Sequence, residues 1–225
     1  MKSHQNCIVF SNIIRAHLDS LGAFQTERRY ERGQTVYCMG DPPSELFLIQ
    51  QGRVKILRLS PEGQQKILDI YQQGDIFGEL CVCGSGKRTE QAVALEPLSV
   101  TSFQMDGLMK LLRRKPQMVL DLLQILCSRL SEAHDQIATL AFDNIPRRLA
   151  RELLRLTQAD GARRGEASNG LSLTHEDLAQ VVGTSREMIT TVMNQFRERG
   201  LVDYSRRRIQ AHRERLEKFL RESLP

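Results

Sequence analysis

Between Pro116 and Phe142 the chain reads PQMVLDLLQILCSRLSEAHDQIATLAF, and Val119, Leu123, Leu126, Leu130, Ala133, Ile137 and Leu140 recur at alternating steps of four and three. Apolar residues at that period line one narrow face of a helix, a face suited to burial against the same face of a second copy. Asp121, Arg129, Glu132 and Asp135 flank the stripe, which predicts water on the other side. An amphipathic helix packed on its own domain shares this pattern over three heptads. What favours the paired helix is the chain around it. Short period-two segments punctuated by glycine end before it, and a helix-turn-helix pattern begins after it. The expected organisation is a sensor over residues 1–115, a coiled-coil dimerisation helix over 116–142 and a reader over 143–225.

Charge separates the same regions. From Asp143 onward 15 arginines and one lysine stand against 12 acidic residues, whereas the first 142 residues are nearly balanced. An arginine-rich surface suits phosphate and guanine recognition. Met1 to Phe24 carries Lys2, Arg15 and Asp19 without a long apolar core, so no secretory leader is expected. No run reaches the roughly 18 apolar residues of a membrane span, and the expected location is the cytoplasm. Cys7, Cys38, Cys81, Cys83 and Cys127 are odd in number and irregularly spaced, which argues against a disulfide framework or zinc finger. They read as small buried hydrophobes. A metal, cluster or redox pair built from them is the rival sensor.

Residues 1–22 read as an amphipathic helix ending at Gly22. The strands expected after it are Phe24–Tyr30, Thr35–Met39, Glu45–Gln50, Arg53–Ser60, Gln65–Tyr71, Asp75–Phe77, Gln91–Leu95 and Ser99–Gln104, separated by turns such as Gly40-Asp41-Pro42-Pro43 and Pro61-Glu62-Gly63. Short strands so spaced form a small antiparallel barrel or sandwich with room for a ligand. The segment Phe77 to Thr89 breaks the rhythm. Gly78, Gly84 and Gly86 let the backbone present N–H groups, Leu80 to Cys83 could make one helical turn, and Arg88 and Thr89 add a guanidinium and a hydroxyl. Those donors suit a phosphate, while the carboxylate of Glu79 suits hydroxyls. A plain Glu79–Arg88 salt bridge in a glycine-rich turn is the alternative.

Gly74-Asp75-Ile76-Phe77-Gly78-Glu79-Leu80 followed by Arg88-Thr89 resembles the phosphate-binding cassette of cyclic-nucleotide-binding domains. With the heptad helix and the C-terminal motif, the chain resembles the cyclic-AMP receptor and fumarate-nitrate reductase regulator family of bacterial transcription factors over nearly its whole length. The resemblance implies an α+β fold: a cyclic-nucleotide-binding-like β-roll, a long dimerisation helix and a C-terminal winged helix-turn-helix. It also implies that Glu79 takes a ribose hydroxyl and that Arg88 and Thr89 take a cyclic phosphate, with Gly78 and Leu80 in the same cassette. Counting back from Leu140-Ala141-Phe142 puts Ala133 and His134 where the cyclic-AMP receptor contacts the purine, which leaves His134 as the candidate there. Glu90 places a second carboxylate where a small residue is usual, and it repels a phosphate unless it points to solvent. In the oxygen-sensing members most cluster ligands lie near the N-terminus, where this chain has only Cys7.

Asp106 is expected to cap a short helix through Arg114, and Asn144 to Pro146 to end the long one, with a hinge at Phe142–Asn144. Arg147–Gln158 should form a helix with Leu149, Leu153, Leu154 and Leu156 inward, and Ala159–Gly170 a polar loop. Thr174 then caps one helix with Leu178, Ala179 and Val182 inward, Gly183 turns the chain, and Ser185 caps a second helix buried through Ile189, Val192 and Phe196. Its outer face carries Arg186, Glu187, Thr190 and Thr191, where arginine can hold guanine and glutamate can accept from cytosine. Ser-Arg-Glu also opens the recognition helix of the resembled family. Thr174, Ser185 and Arg197 are phosphate-contact candidates. Leu201–Tyr204 and Arg208–Gln210 make a wing tipped by Arg206 and Arg207, and His212–Ser223 a last helix.

The expectation is a homodimeric regulator that binds a near-palindrome in double-stranded DNA under control of a small effector, a cyclic nucleotide by resemblance, with RNA polymerase as a further partner. A ligand-independent regulator is the rival. No Ser-His-Asp set, Walker loop or metal-ligand cluster points to an enzyme.

Overall fold

The computed structural model describes residues 24–79, 86–164, 171–205 and 208–222. The helix expected over residues 1–22, the turn Leu80–Cys83, Cys7 and the wing-tip residues Arg206 and Arg207 lie outside them. The chain forms two compact units, Met1–Ala133 and His134–Pro225.

Among the described residues, eight strands build the first unit: β1 (Gln25–Tyr30), β2 (Thr35–Tyr37), β3 (Glu45–Gln51), β4 (Arg53–Leu59), β5 (Gln65–Gln72), β6 (Ile76–Phe77), β7 (Gln91–Ala94) and β8 (Leu98–Gln104). Each begins and ends within two residues of the sequence-based expectation, because the turn residues fix the ends. They pair antiparallel in two four-stranded sheets, ordered β1-β8-β3-β6 and β2-β7-β4-β5. Phe47, Ile49, Phe77 and Val100 of the first sheet meet Tyr37, Val54, Ile56, Ala92 and Ala94 of the second in a common core. Tyr37, Phe47 and Phe77 stack there, with ring centroids 4.9 to 6.1 Å apart, and such pairs add about 0.5–1.5 kcal/mol each beyond their area.

The outer face of the first sheet is also apolar. Leu46, Leu48, Ile76 and Phe103 pack against Leu108, Leu111 and Leu112 of α1 (Met105–Arg114) and Met118, Leu122 and Ile125 of α2 (Pro116–Phe142). That double burial is why β3 reads as a continuous apolar run instead of an alternation. It also corrects two expectations. Helix α1 begins at Met105 after Gln104 with no side-chain cap, so Asp106 sits in the first turn, where its charge suits the helix dipole. On α2, Asp121 and Arg129 are not on a wet face: Asp121 is buried, and the Arg129 side chain is nearly so. The stripe Met118, Leu122, Ile125 and Arg129 runs beside the heptad stripe and holds α2 on its own sheet.

The second unit holds the rest of α2, then α3 (Ile145–Arg164), α4 (His175–Val182), α5 (Arg186–Glu198), the hairpin β9 (Val202–Ser205) and β10 (Arg208–Ala211), and α6 (Arg213–Glu222). A break at Asp143 and Asn144 separates α2 from α3, and Asp143 accepts hydrogen bonds from the guanidiniums of Arg147 and Arg151. Burial opposes the Asp143 charge, but those bonds outweigh it and hold the carboxyl below the usual carboxylate range. Helix α3 buries Leu149, Leu153, Leu154 and Leu156 as expected. It runs on to Arg164, into the stretch expected to be loop, since alanine and arginine at 159–164 favour helix and one glycine does not stop it.

Candidate functional site

In the sensor, the Gly40–Asp41 turn fixes Arg88 in place: Arg88 N donates to Asp41 O and Gly40 N to Arg88 O, each at 2.8 Å. The guanidinium is buried. Nη2 donates to Glu45 O at 2.6 Å, Nη1 reaches Gly78 O at 3.5 Å, and the group lies 3.8 Å from the centroid of the Tyr37 ring. Gly78 makes this approach possible: it has φ 78°, and a Cβ there would sit 2.9 Å from Arg88 Nη1 and 3.2 Å from the Phe47 ring.

Glu79 is buried too, but its partner is Arg129 of α2 and not Arg88, so the simple salt bridge in a turn is not what forms. Arg129 also donates to Ile76 O and lies 4.4 Å from the Tyr71 ring centroid. Thr89 is exposed, His134 is exposed on α2, and Leu80 falls outside the described residues.

Glu90 does not point to solvent. It is half-buried and accepts a hydrogen bond from Tyr37 Oη at 3.2 Å. Burial, aided by the charge of Glu79, raises its carboxyl above the usual range. Burial likewise raises the Tyr37 phenol, so it stays a donor. The cradle suits a phosphate-bearing ligand at Arg88 and hydroxyls at Glu79. Arg129 and Tyr37 were missed from sequence, although Arg129 closes the second stripe of α2 at helical spacing. Cys38 and Cys127 are exposed, contrary to the buried reading, and among the described residues no three His, Cys, Asp or Glu side chains gather to hold a metal.

In the reader, Thr174 caps α4 with a full capping box, its hydroxyl accepting from Asp177 N at 3.0 Å while the Asp177 carboxylate accepts from Thr174 N. Gly183, at φ 77°, ends α4 and donates to Ala179 O. Ser185 caps α5 by accepting from Met188 N. Leu178, Ala179 and Val182 of α4 and Ile189, Val192 and Phe196 of α5 are buried, as the spacing predicts. That burial leaves Arg186, Glu187 and Thr191 exposed on one face of α5. The Glu187 carboxyl is held below its usual range by its own backbone N–H and the Ser185 hydroxyl, so it is a dependable acceptor.

Thr190 is less free than its neighbours. Its hydroxyl bonds to Arg186 O and meets Nδ1 of His175 at 3.0 Å. Burial and the charge of Arg186 lower the His175 pKa, which favours the neutral ring. Arg197, exposed, lies 5.2 Å from the Tyr204 ring centroid, and Tyr204 Oη donates to Asn194 Oδ1 at 2.6 Å, joining α5 to the wing. His175, Asn194 and Tyr204 were not singled out from sequence. His175 follows the cap, at the point where α4 faces α5.

A β-roll with a buried arginine and glutamate beside Gly78 and a helix-turn-helix with an exposed polar face together define a class: transcription regulators that couple a cyclic-nucleotide-binding-type domain to a DNA-binding one. Comparison with known proteins agrees. Residues 27–115 match the cyclic nucleotide-binding domain and residues 147–219 the Crp-like helix-turn-helix domain. The chain is 35% identical over 174 residues to the CRP-like cAMP-activated global transcriptional regulator of Mycobacterium tuberculosis, covering 77% of this chain and 78% of that protein. It is 29% identical to the cyclic AMP receptor protein of Thermus thermophilus, covering 86% and 87%. The solved structure of FixK2 from Bradyrhizobium japonicum superposes with a TM-score of 0.75 at 23% identity, over 86% of this chain and 96% of that one. The chain belongs to the cyclic-AMP receptor and fumarate-nitrate reductase regulator family. Its helix-turn-helix is a DNA-binding module, and no helix among the described residues is long and apolar enough to cross a membrane.

Proposed function

We propose that two copies of this chain join along α2 and place their α5 helices in successive major grooves of a near-palindromic operator, under control of a cyclic nucleotide held at Glu79, Arg88 and Thr89. The observation that carries the reading is the heptad stripe. Leu123, Leu130, Ile137 and Leu140 are 50%, 58%, 63% and 48% exposed in the single chain, although they are among its most apolar residues. Val119 and Ala133 are exposed with them, and only Leu126 packs partly against its own unit. An apolar stripe this long, on a helix already docked by its other face, is what a twin would cover.

Half-sites about one helical turn apart are the spacing known for helix-turn-helix dimers, a member of this family among them. Arg186 and Glu187 read base edges, with Thr190 and Thr191 beside them, while Thr174, Ser185, Arg197, Arg206 and Arg207 hold phosphates. Ribose at Glu79 engages a group already tied to α2 through Arg129, so binding biases the packing of the helix on which the twin sits. His134 is the candidate base contact, and RNA polymerase the further partner. The Mycobacterium tuberculosis relative described above is named as cAMP-activated, which supports the nucleotide as effector.

Sedimentation equilibrium tests the pairing: a dimer at micromolar concentration that becomes monomeric on Leu130→Glu with Ile137→Glu is expected. A wild-type monomer, with and without operator, would overturn it.

A further inference from the structure

The residues leading into β7 differ in exposure. Arg88, Ala92 and Ala94 are buried and Glu90 is half-buried, whereas Thr89 is exposed. The half-burial of Glu90 and the hydrogen bond it accepts from Tyr37 put its carboxylate on the same side as Arg88. Tyr37 links the two: its ring lies 3.8 Å from the Arg88 guanidinium and its hydroxyl donates to Glu90.

The charged and titratable groups acting on Glu90 are Tyr37 from β2, Glu79 after β6, Arg88 from its own segment and Arg129 from α2. Two guanidiniums and two carboxylates thus balance before any ligand arrives. Glu79 is committed to Arg129, and Tyr37 already holds its proton firmly. A cyclic phosphate monoanion at Arg88 adds a negative charge to a half-buried site, and excess buried charge is removed most cheaply by protonating the least stabilised carboxylate. That group is Glu90, since burial and Glu79 already oppose its ionisation.

We propose that Glu90 couples cyclic-nucleotide capture to the uptake of one proton, so that the sensor responds to its nucleotide more strongly as its surroundings acidify. The inference rests on the nucleotide reading above. The sign follows from linkage. A ligand that raises the proton affinity of Glu90 is itself bound more tightly where Glu90 is protonated, so affinity rises as pH falls, by at most about tenfold per pH unit for one proton.

Isothermal titration of the full chain with cyclic AMP, in buffers of different ionisation heat across mildly acid to mildly alkaline pH, reads the proton count directly. Expected are uptake approaching one proton and an affinity that climbs toward acid. Glu90→Gln should bind with a flat pH profile and no uptake, while Tyr37→Phe, which keeps the carboxyl, should retain uptake. Wild-type binding with no proton uptake and no pH slope overturns the inference and leaves the nucleotide reading standing. No binding by either the wild type or Glu90→Gln overturns the nucleotide reading and the inference with it.

Discussion

The sensor cradle and the reading helix both present arginine and glutamate, yet they hold them in opposite ways. In the cradle, Glu79 and Arg88 are buried and engaged with Arg129, backbone carbonyls and aromatic faces. On α5, Arg186 and Glu187 stand in water above a core of Ile189, Val192 and Phe196. Burying a charge is costly unless its partners are in place, so the cradle is part of what holds the sensor together. The exposed face of α5 bears almost none of that load. Side chains that fold the protein and those proposed to read its target are therefore separable on α5, and those that fold it and those proposed to hold its ligand are inseparable in the cradle.

The largest effect that sharpens this contrast is Glu79→Ala. Removing one partner of a buried pair takes the counter-charge from Arg129, so the sensor should lose about 3–5 kcal/mol of stability, read as a lower urea midpoint without ligand. Arg186→Ala should instead weaken operator binding by about 1–3 kcal/mol and relax preference at one base pair, with the melting temperature unchanged. A melting shift as large as that of Glu79→Ala would break the comparison. Between these extremes stand the caps: Ser185→Ala should cost about 1 kcal/mol of stability, read by thermal melting, and should weaken operator affinity as well because it frays the start of α5. The smallest effect is in acid. Because the Asp143 carboxyl is held below its usual range, its contribution is present above the ordinary aspartate pKa of about 4 and is lost as pH falls through the depressed value. Melting curves from neutral to strongly acid pH should therefore decline less steeply for Asp143→Asn than for the wild type.

How much of this could be read from sequence differs between the two sites for a related reason. The reader was legible because its caps, its turn glycine and the spacing of Leu178, Val182, Ile189, Val192 and Phe196 are local rules that agree, and what they leave over is the recognition face. In the sensor the strands were legible through their turns, and Gly78, Glu79 and Arg88 through the cassette. Their partners were not. Arg129 lies 50 residues beyond Glu79 in the chain, and a helix with two apolar stripes does not say which one meets its own sheet. Asp121 and Arg129 looked like a wet flank because α2 was read with one stripe alone. The inward direction of Glu90 was not legible either, because it shows in a hydrogen bond from Tyr37, 53 residues away in the chain.

The central claim is that occupancy of the cradle changes what the reading helices do. Its most direct test is operator affinity, by fluorescence anisotropy, for wild type and Arg88→Ala with and without saturating cyclic AMP. At least a tenfold gain for the wild type and none for Arg88→Ala is predicted. Unchanged affinity in a wild-type protein shown by titration to have bound the nucleotide would contradict it.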